Sequence, residues 1–321
     1  MTSLPKKQRF RPGDLVEVRT PAEIARTMDE ARTVDGLPFM PEMVPFCGKR
    51  FRVTKRVVQA VIDGAALSQY AESYVREFRG DDVVLLEGLR CSGASHDDCQ
   101  RGCMLFWKEA WLQHADPAAT AAADTGAVSG EKITCETVKS PGVYRCQSTE
   151  FRSATLPVSF AKRMGNLFRT IFVGNYGPLE MIGKTAVWAW CRGRTRLIGA
   201  WPRGRQTSTP TESLGLRAGD WVEVKTIEEI RQTLDNHGKN RGLHFSADMV
   251  PYCGLRLQVR SRADNFITEA TGVMRHFKNT VILETAISNS AIYAFGGCPR
   301  GDFLYWREIW LRRVSSLSHN G

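Results

Sequence analysis

No apolar run in the 321-residue chain approaches the roughly 18–20 residues that a membrane-spanning helix needs. The N-terminus, MTSLPKKQRF, lacks the apolar stretch of a secretory signal, so a cytoplasmic location is expected. None of the nine cysteines forms a Cys-x-x-Cys pair, which removes the usual signature of thiol redox chemistry. In a reducing compartment the nine cysteines are better read as metal ligands or buried thiols than as a disulfide framework. Also missing are a phosphate-binding Gly-rich loop, a nucleophile elbow and a metalloprotease helix, and with them the commonest enzyme signatures. No RNP, KH or helix-turn-helix pattern marks a nucleic-acid-binding module.

Acids are scarce in one place. The net charge of +10 arises between Lys139 and Arg205, where twelve Lys/Arg face only Glu150 and Glu180. The remainder of the chain is close to neutral.

What the sequence does contain is a repeat. Arg11–Thr20 (RPGDLVEVRT) matches Arg217–Thr226 (RAGDWVEVKT), and Met43–Gly48 (MVPFCG) matches Met249–Gly254 (MVPYCG), both at an offset of 206. Cys99–Leu112 (CQRGCMLFWKEAWL) matches Cys298–Leu311 (CPRGDFLYWREIWL) at an offset of 199. Matches in one order with small gaps establish an internal duplication. In each copy a Gly-Asp turn leads into alternating valines, a strand pattern. A capping box follows, Thr20 to Glu23 or Thr226 to Glu229, opening a short helix expected to end near Gly36 or Gly238. Further strands are expected at Arg50–Arg56, Val83–Leu86, Arg256–Arg260 and Val281–Leu283. Each copy closes on a tryptophan pair, Trp107/Trp111 or Trp306/Trp310, whose expected role is to fill the core.

These patterns predict a mainly β chain with short helices (α+β): two SH3-like small barrels joined by a basic, partly helical middle. The expected divisions are a first cassette over 1–115, a flexible low-complexity linker over 116–130, the basic segment over 131–210, and a second cassette over 211–321. In the middle, Ser159–Phe172 has helical apolar spacing and carries Lys162, Arg163 and Arg169. Downstream, Trp188 and Trp190 precede Arg192, Arg194 and Arg196. Aromatics interleaved with arginine suit nucleic acid or another acidic partner. They suit an anionic membrane face as well. A connector packed against both barrels, with its basic side solvated, would show the same pattern.

Cys91, His96, Cys99 and Cys103 lie within thirteen residues as C-x4-H-x2-C-x3-C. Three thiols and an imidazole form a recognised structural zinc set, with an iron–sulfur cluster as the second choice. Asp97 and Asp98 are candidates to orient His96 from behind. In the second copy the corresponding residues are Ser288, Tyr293, Cys298 and Asp302, so most of the set is missing. Apolar packing by Ile292, Tyr293 and Phe295 is the expected replacement. Cys47 and Cys253 read as buried small hydrophobes, while Cys135, Cys146, Cys298 and His276 are the candidates for a second ion.

The run LLEGLRC…H…CQRGC…FWKEAWL, paired with YWREIWLRR, resembles an uncharacterised group of bacterial proteins. Those proteins are built from the same duplicated SH3/KOW-like cassette with a Cys/His cluster. The resemblance spans both cassettes and much of the middle. It implies the architecture and a metal site, and it carries no activity. The group's pattern has a further cysteine after the FRV-x-KR strand and a Cys/His pair in the second copy. Arg56–Asp63 here has no cysteine, which leaves the first copy's four residues as the one full site. The functional expectation is a non-catalytic, metal-containing binding or scaffold protein. The alternative is a metal-dependent enzyme, or an enzyme accessory, of a specialised bacterial pathway.

Overall fold

The structure is a computed structural model that describes residues 9–62, 74–115, 133–198, 202–288 and 298–314. The expected linker over 116–130 lies outside these residues.

Each copy folds into a five-stranded antiparallel sheet curled into a half-barrel. The first comprises β1 (Leu15–Val18), β2 (Arg50–Arg56), β3 (Val83–Arg90), β4 (Met104–Lys108) and β5 (Leu112–His114), in the order β4-β3-β2-β1-β5. The second comprises β6 (Trp221–Val224), β7 (Arg256–Arg262), β8 (Thr280–Ile287), β9 (Phe303–Arg307) and β10 (Leu311–Arg313), in the equivalent order β9-β8-β7-β6-β10. The curl comes from matched irregularities. The register shifts between Val53 and Lys55 in one copy and between Val259 and Ser261 in the other, and such bulges bend a strand and increase its twist.

The chemistry of each strand opening is also repeated. Asp14 accepts from the Arg11 amide at 2.7 Å, and Asp220 accepts from that of Arg217 at 2.9 Å. Both capping boxes form, on α1 (Pro21–Ala25) and its counterpart Ile227–Arg231. Those helices stop well before Gly36 and Gly238, which corrects the expected ends. The chain instead makes a tight hairpin in each copy, turning at Asp35-Gly36 and at Arg241-Gly242 with positive φ at all four residues. Two consecutive residues in that region make the turn that matches strand twist. The four tryptophans are fully buried, as expected. In each copy a phenylalanine sits edge-on to both rings: Phe39 against Trp107 and Trp111, Phe245 against Trp306 and Trp310.

The middle has two parts. Ile133, Cys135, Phe151, Ala154 and Val158 belong to the first half-barrel's core, and the strand Thr155–Pro157 pairs with Val75–Phe78. Two helices follow, α2 (Phe160–Phe172) and α3 (Pro178–Ile198). Ser159 caps α2 by accepting from the Lys162 amide. Between the helices, buried Asn175 locks onto the Arg56 backbone, accepting at 2.8 Å and donating at 2.7 Å. Among the described residues the α-helices number four, with Ile227–Arg231 as α4.

The two copies meet through the motif they share. Arg101 donates to the Ile267 carbonyl at 3.0 Å, and Arg300 donates to the Val61 carbonyl at 3.0 Å. Arg101 and Arg300 are repeat equivalents, and so are Val61 and Ile267. Each copy thus reaches into the other in the same way, like the two sides of a twofold dimer interface within one chain. Cys99 packs on Ile267, while Cys298 accepts the Val61 amide at 3.3 Å. The Cys-x-Arg-Gly motif survives in the second copy because it builds this joint.

Candidate metal centre

Glu42 lies on the 3-10 turn Pro41–Phe46, whose opening proline fixes the first turn. Cys91 follows the last residue of β3, and Cys103 precedes the first of β4. The neck of the loop between them is closed by the Cys91 amide donating to the Cys103 carbonyl at 2.8 Å. Inside the loop, the Gly93 carbonyl accepts the His96 amide at 2.9 Å, and the His96 carbonyl accepts the Cys99 amide at 3.2 Å. Gly93 has φ +77°, and a Cβ there would stand 2.0 Å from the Cys99 carbonyl oxygen, so only glycine fits.

This fold brings ligand atoms of Glu42, Cys91 and His96 within 4.8 Å of one another. His96 is 1% exposed and Glu42 is buried. Glu42 Oε1 accepts the Ser95 amide at 3.2 Å and lies 2.9 Å from His96 Nδ1. The imidazole is not aligned on it, however. Both ring nitrogens and Glu42 Oε2 are buried without a hydrogen-bond partner. Leaving such atoms unpaired is costly, and a cation would take up the Glu42 oxygen together with one of the two imidazole nitrogens. Burial works against the Glu42 charge, but the adjacent His96 outweighs it and holds the carboxyl below its usual range.

Beside the group lies a cavity of about 30 Å³, walled by Cys99, Cys103, Cys146, Met40 and, from the second copy, Ile267 and Arg300. Burial, with Glu42 and Cys103 close by, raises the Cys91 thiol far above its ordinary value. Burial also pushes Cys103 up to about 12 and raises Cys146. These thiols are protonated on their own, so a bound metal has to displace protons.

Of the four ligands expected from the sequence, Cys91 and His96 come together with Glu42. All four line one cavity, in which Cys99 and Cys103 lie outside the three-residue group. Asp97 and Asp98 do not back His96. Both have positive φ, and Asp97 accepts from the Tyr144 hydroxyl instead. Sequence reasoning missed Glu42, although a signal was available: an acid precedes Met-Val-Pro in both copies, Glu42 and Asp248.

At the same place in the second copy, an acid is held by two hydroxyls. Ser288, at the position of Cys91, donates to Asp248 at 2.5 Å, and Ser246 bonds the other carboxylate oxygen. Ile292, Tyr293 and Phe295, the expected packing substitutes, lie outside the described residues. The four candidates for a second ion are dispersed. Cys135 contacts Met40, Cys146 walls the cavity, Cys298 takes the Val61 amide, and exposed His276 pairs with Asn265. Cys47 is buried, as expected, whereas Cys253 is only half-buried.

The eight expected partner-binding residues divide into two sets. Lys162 pairs with Glu77 and Arg169 with Asp81. Arg163 is buried, donating to the Val158 carbonyl at 3.1 Å and lying over the Tyr74 ring. On α3, Trp190, Arg192 and Arg196 are exposed, while Trp188 and Arg194 are half-buried.

No protein-family model matches the chain, no curated protein matches it, and no solved structure matches it. The chain has two curled five-strand half-barrels, and no family is identified.

Proposed function

We propose that this is a non-catalytic metal-containing binding protein. Its first half-barrel holds one zinc ion on Glu42, Cys91 and His96, and its basic helical middle contacts an acidic partner. The observation that carries the metal half is the contrast between the copies. The first leaves a buried carboxylate oxygen and two imidazole nitrogens unpartnered. At the equivalent place the second satisfies its acid with Ser288 and Ser246. A set of one sulfur, one nitrogen and one oxygen donor suits zinc, while iron–sulfur clusters need more thiolates. Cysteines in the adjoining wall put a fourth ligand within reach of a loop adjustment.

Three protein ligands also suit a catalytic zinc, which keeps one position open. The partner half rests on charge: no acid occurs between Glu180 and Glu212, a stretch with six Lys/Arg.

Elemental analysis of the purified protein, with a visible spectrum, tests the metal half. One equivalent of zinc and no colour is expected. A brown chromophore, or no metal at all, overturns it.

A further inference from the structure

α2 is laid on the protein the wrong way round for a helix of a globular domain. Its buried residues are Arg163, Asn166 and Thr170. Arg163 bonds the Val158 carbonyl, and Asn166 donates to Gln59 at 3.2 Å. The apolar stripe Phe160, Met164, Phe168 and Phe172, spaced four residues apart, faces outward, with Phe168 72% and Phe172 78% exposed. α3 adds a second exposed set: Leu179, Ile182, Trp190 (73% exposed) and Leu197 (87% exposed). Leu179, Trp190 and Leu197 are spaced by eleven and seven residues, three and two helical turns, so they share one side. An exposed apolar surface of this extent marks an interaction site.

The charge around the stripe selects the occupant. Of the seven Lys/Arg on α2 and α3, Lys162, Arg169 and Lys184 pair with Glu77, Asp81 and Glu180 and Arg163 is buried, so the basic surface is the arginines near the end of α3. Exposed Arg192 and Arg196 lie on the last turns of α3, two and six residues after Trp190, which puts them on the side of the helix away from Trp190 and Leu197. A second copy docking stripe to stripe would cover the apolar side chains but leave these cations, on the other side of α3, without a counter-charge. Nucleic acid would use the arginines and Trp190 but gains nothing from Leu179, Ile182 and Leu197, which offer no ring for a base. An anionic lipid surface uses both features: apolar side chains enter the acyl boundary while the arginines reach headgroup phosphates. No described helix is long and apolar enough to cross a membrane, so the contact is with the interface.

We infer that the α2–α3 hairpin is an interfacial anchor that docks its outward apolar stripe onto an anionic lipid surface. This deepens the partner half of the proposal above and is independent of its metal half.

The test is co-sedimentation of the full chain with vesicles of phosphatidylglycerol mixed into phosphatidylcholine, and with phosphatidylcholine alone. Binding to the anionic vesicles is expected, weakened by added salt. The Phe168→Ser/Phe172→Ser double variant should bind about tenfold more weakly or worse, since two rings no longer leave water for the acyl boundary. Its melting temperature should be no lower than that of the parent, because neither ring packs in the core. No vesicle binding, binding indifferent to lipid charge, or binding unaffected by the double variant overturns the inference. If the chain instead binds polyuridylate in a salt-sensitive way and ignores vesicles, the lipid inference fails and the acidic-partner reading stands. If it binds neither, both fail. A concentration-dependent dimer that the double variant dissolves, without vesicle binding, assigns the stripe to a second copy.

Discussion

Ser288 donates to Asp248 at 2.5 Å at the place in the second half-barrel where the first sets Cys91 beside Glu42. One copy closes this corner with a hydrogen bond between side chains. The other presents thiol, carboxylate and imidazole, with one carboxylate oxygen and both ring nitrogens unmatched.

The relationship can be transplanted. Glu42→Asp with Cys91→Ser recreates the second copy's pair in the first, and the resulting protein should fold without metal. Thermal melts with and without a chelator check this. The parent should lose stability on chelation, by about 4 kcal/mol if metal was present at a thousandfold its Kd, and the double variant should be indifferent. Equal chelator sensitivity in both proteins would show that the ion, if any, sits elsewhere.

The joint between the copies makes a second prediction. Arg300 is buried between Glu269 at 2.7 Å, Asp302 at 3.3 Å and the Val61 carbonyl, and Ser148 of the middle segment also donates to Glu269. Removing the arginine takes away the closest charge partner of buried Glu269, which keeps Ser148 and the more distant Arg101 at 3.9 Å. Arg300→Met should cost about 3–5 kcal/mol in denaturant unfolding, and adding Glu269→Leu should recover most of it. Additive losses in the double variant would contradict this account of the joint.

Much of the fold was legible in the sequence. Caps, Gly-Asp turns and strand alternation are local, and the duplication displays each of them twice. The helix ends near Gly36 were misjudged because Asp35-Gly36 is a hairpin turn, and glycine marks a turn as readily as a helix end. Glu42 was missed because it is 49 residues from Cys91 and meets it only after β2 and β3 pair. For α2, periodicity showed one apolar side but not which way that side faced. Its orientation is set by distant partners, Gln59 for Asn166 and Asp81 for Arg169.

A pH effect follows from the second copy. Burial, helped by Lys239, holds His244 below its ordinary value of 6.5 against the pull of Asp248 and Asp235. Its folded pKa is depressed, so the unfolded chain takes up the proton first. The contribution is complete above pH 6.5 and is lost as pH falls from there towards the lower folded value. Melting temperature should fall on acidification through that window, and His244→Gln should remove this part of the slope. Parallel curves for parent and variant would contradict it.

The most direct test of the central claim is X-ray absorption at the metal edge of the purified protein. The account predicts a zinc edge and a mixed first shell, with nitrogen or oxygen at about 2.0–2.2 Å and sulfur at about 2.3 Å. Glu42→Ala should reduce the light-atom part. A shell of sulfur alone, or no bound metal, would contradict the assignment to Glu42, Cys91 and His96.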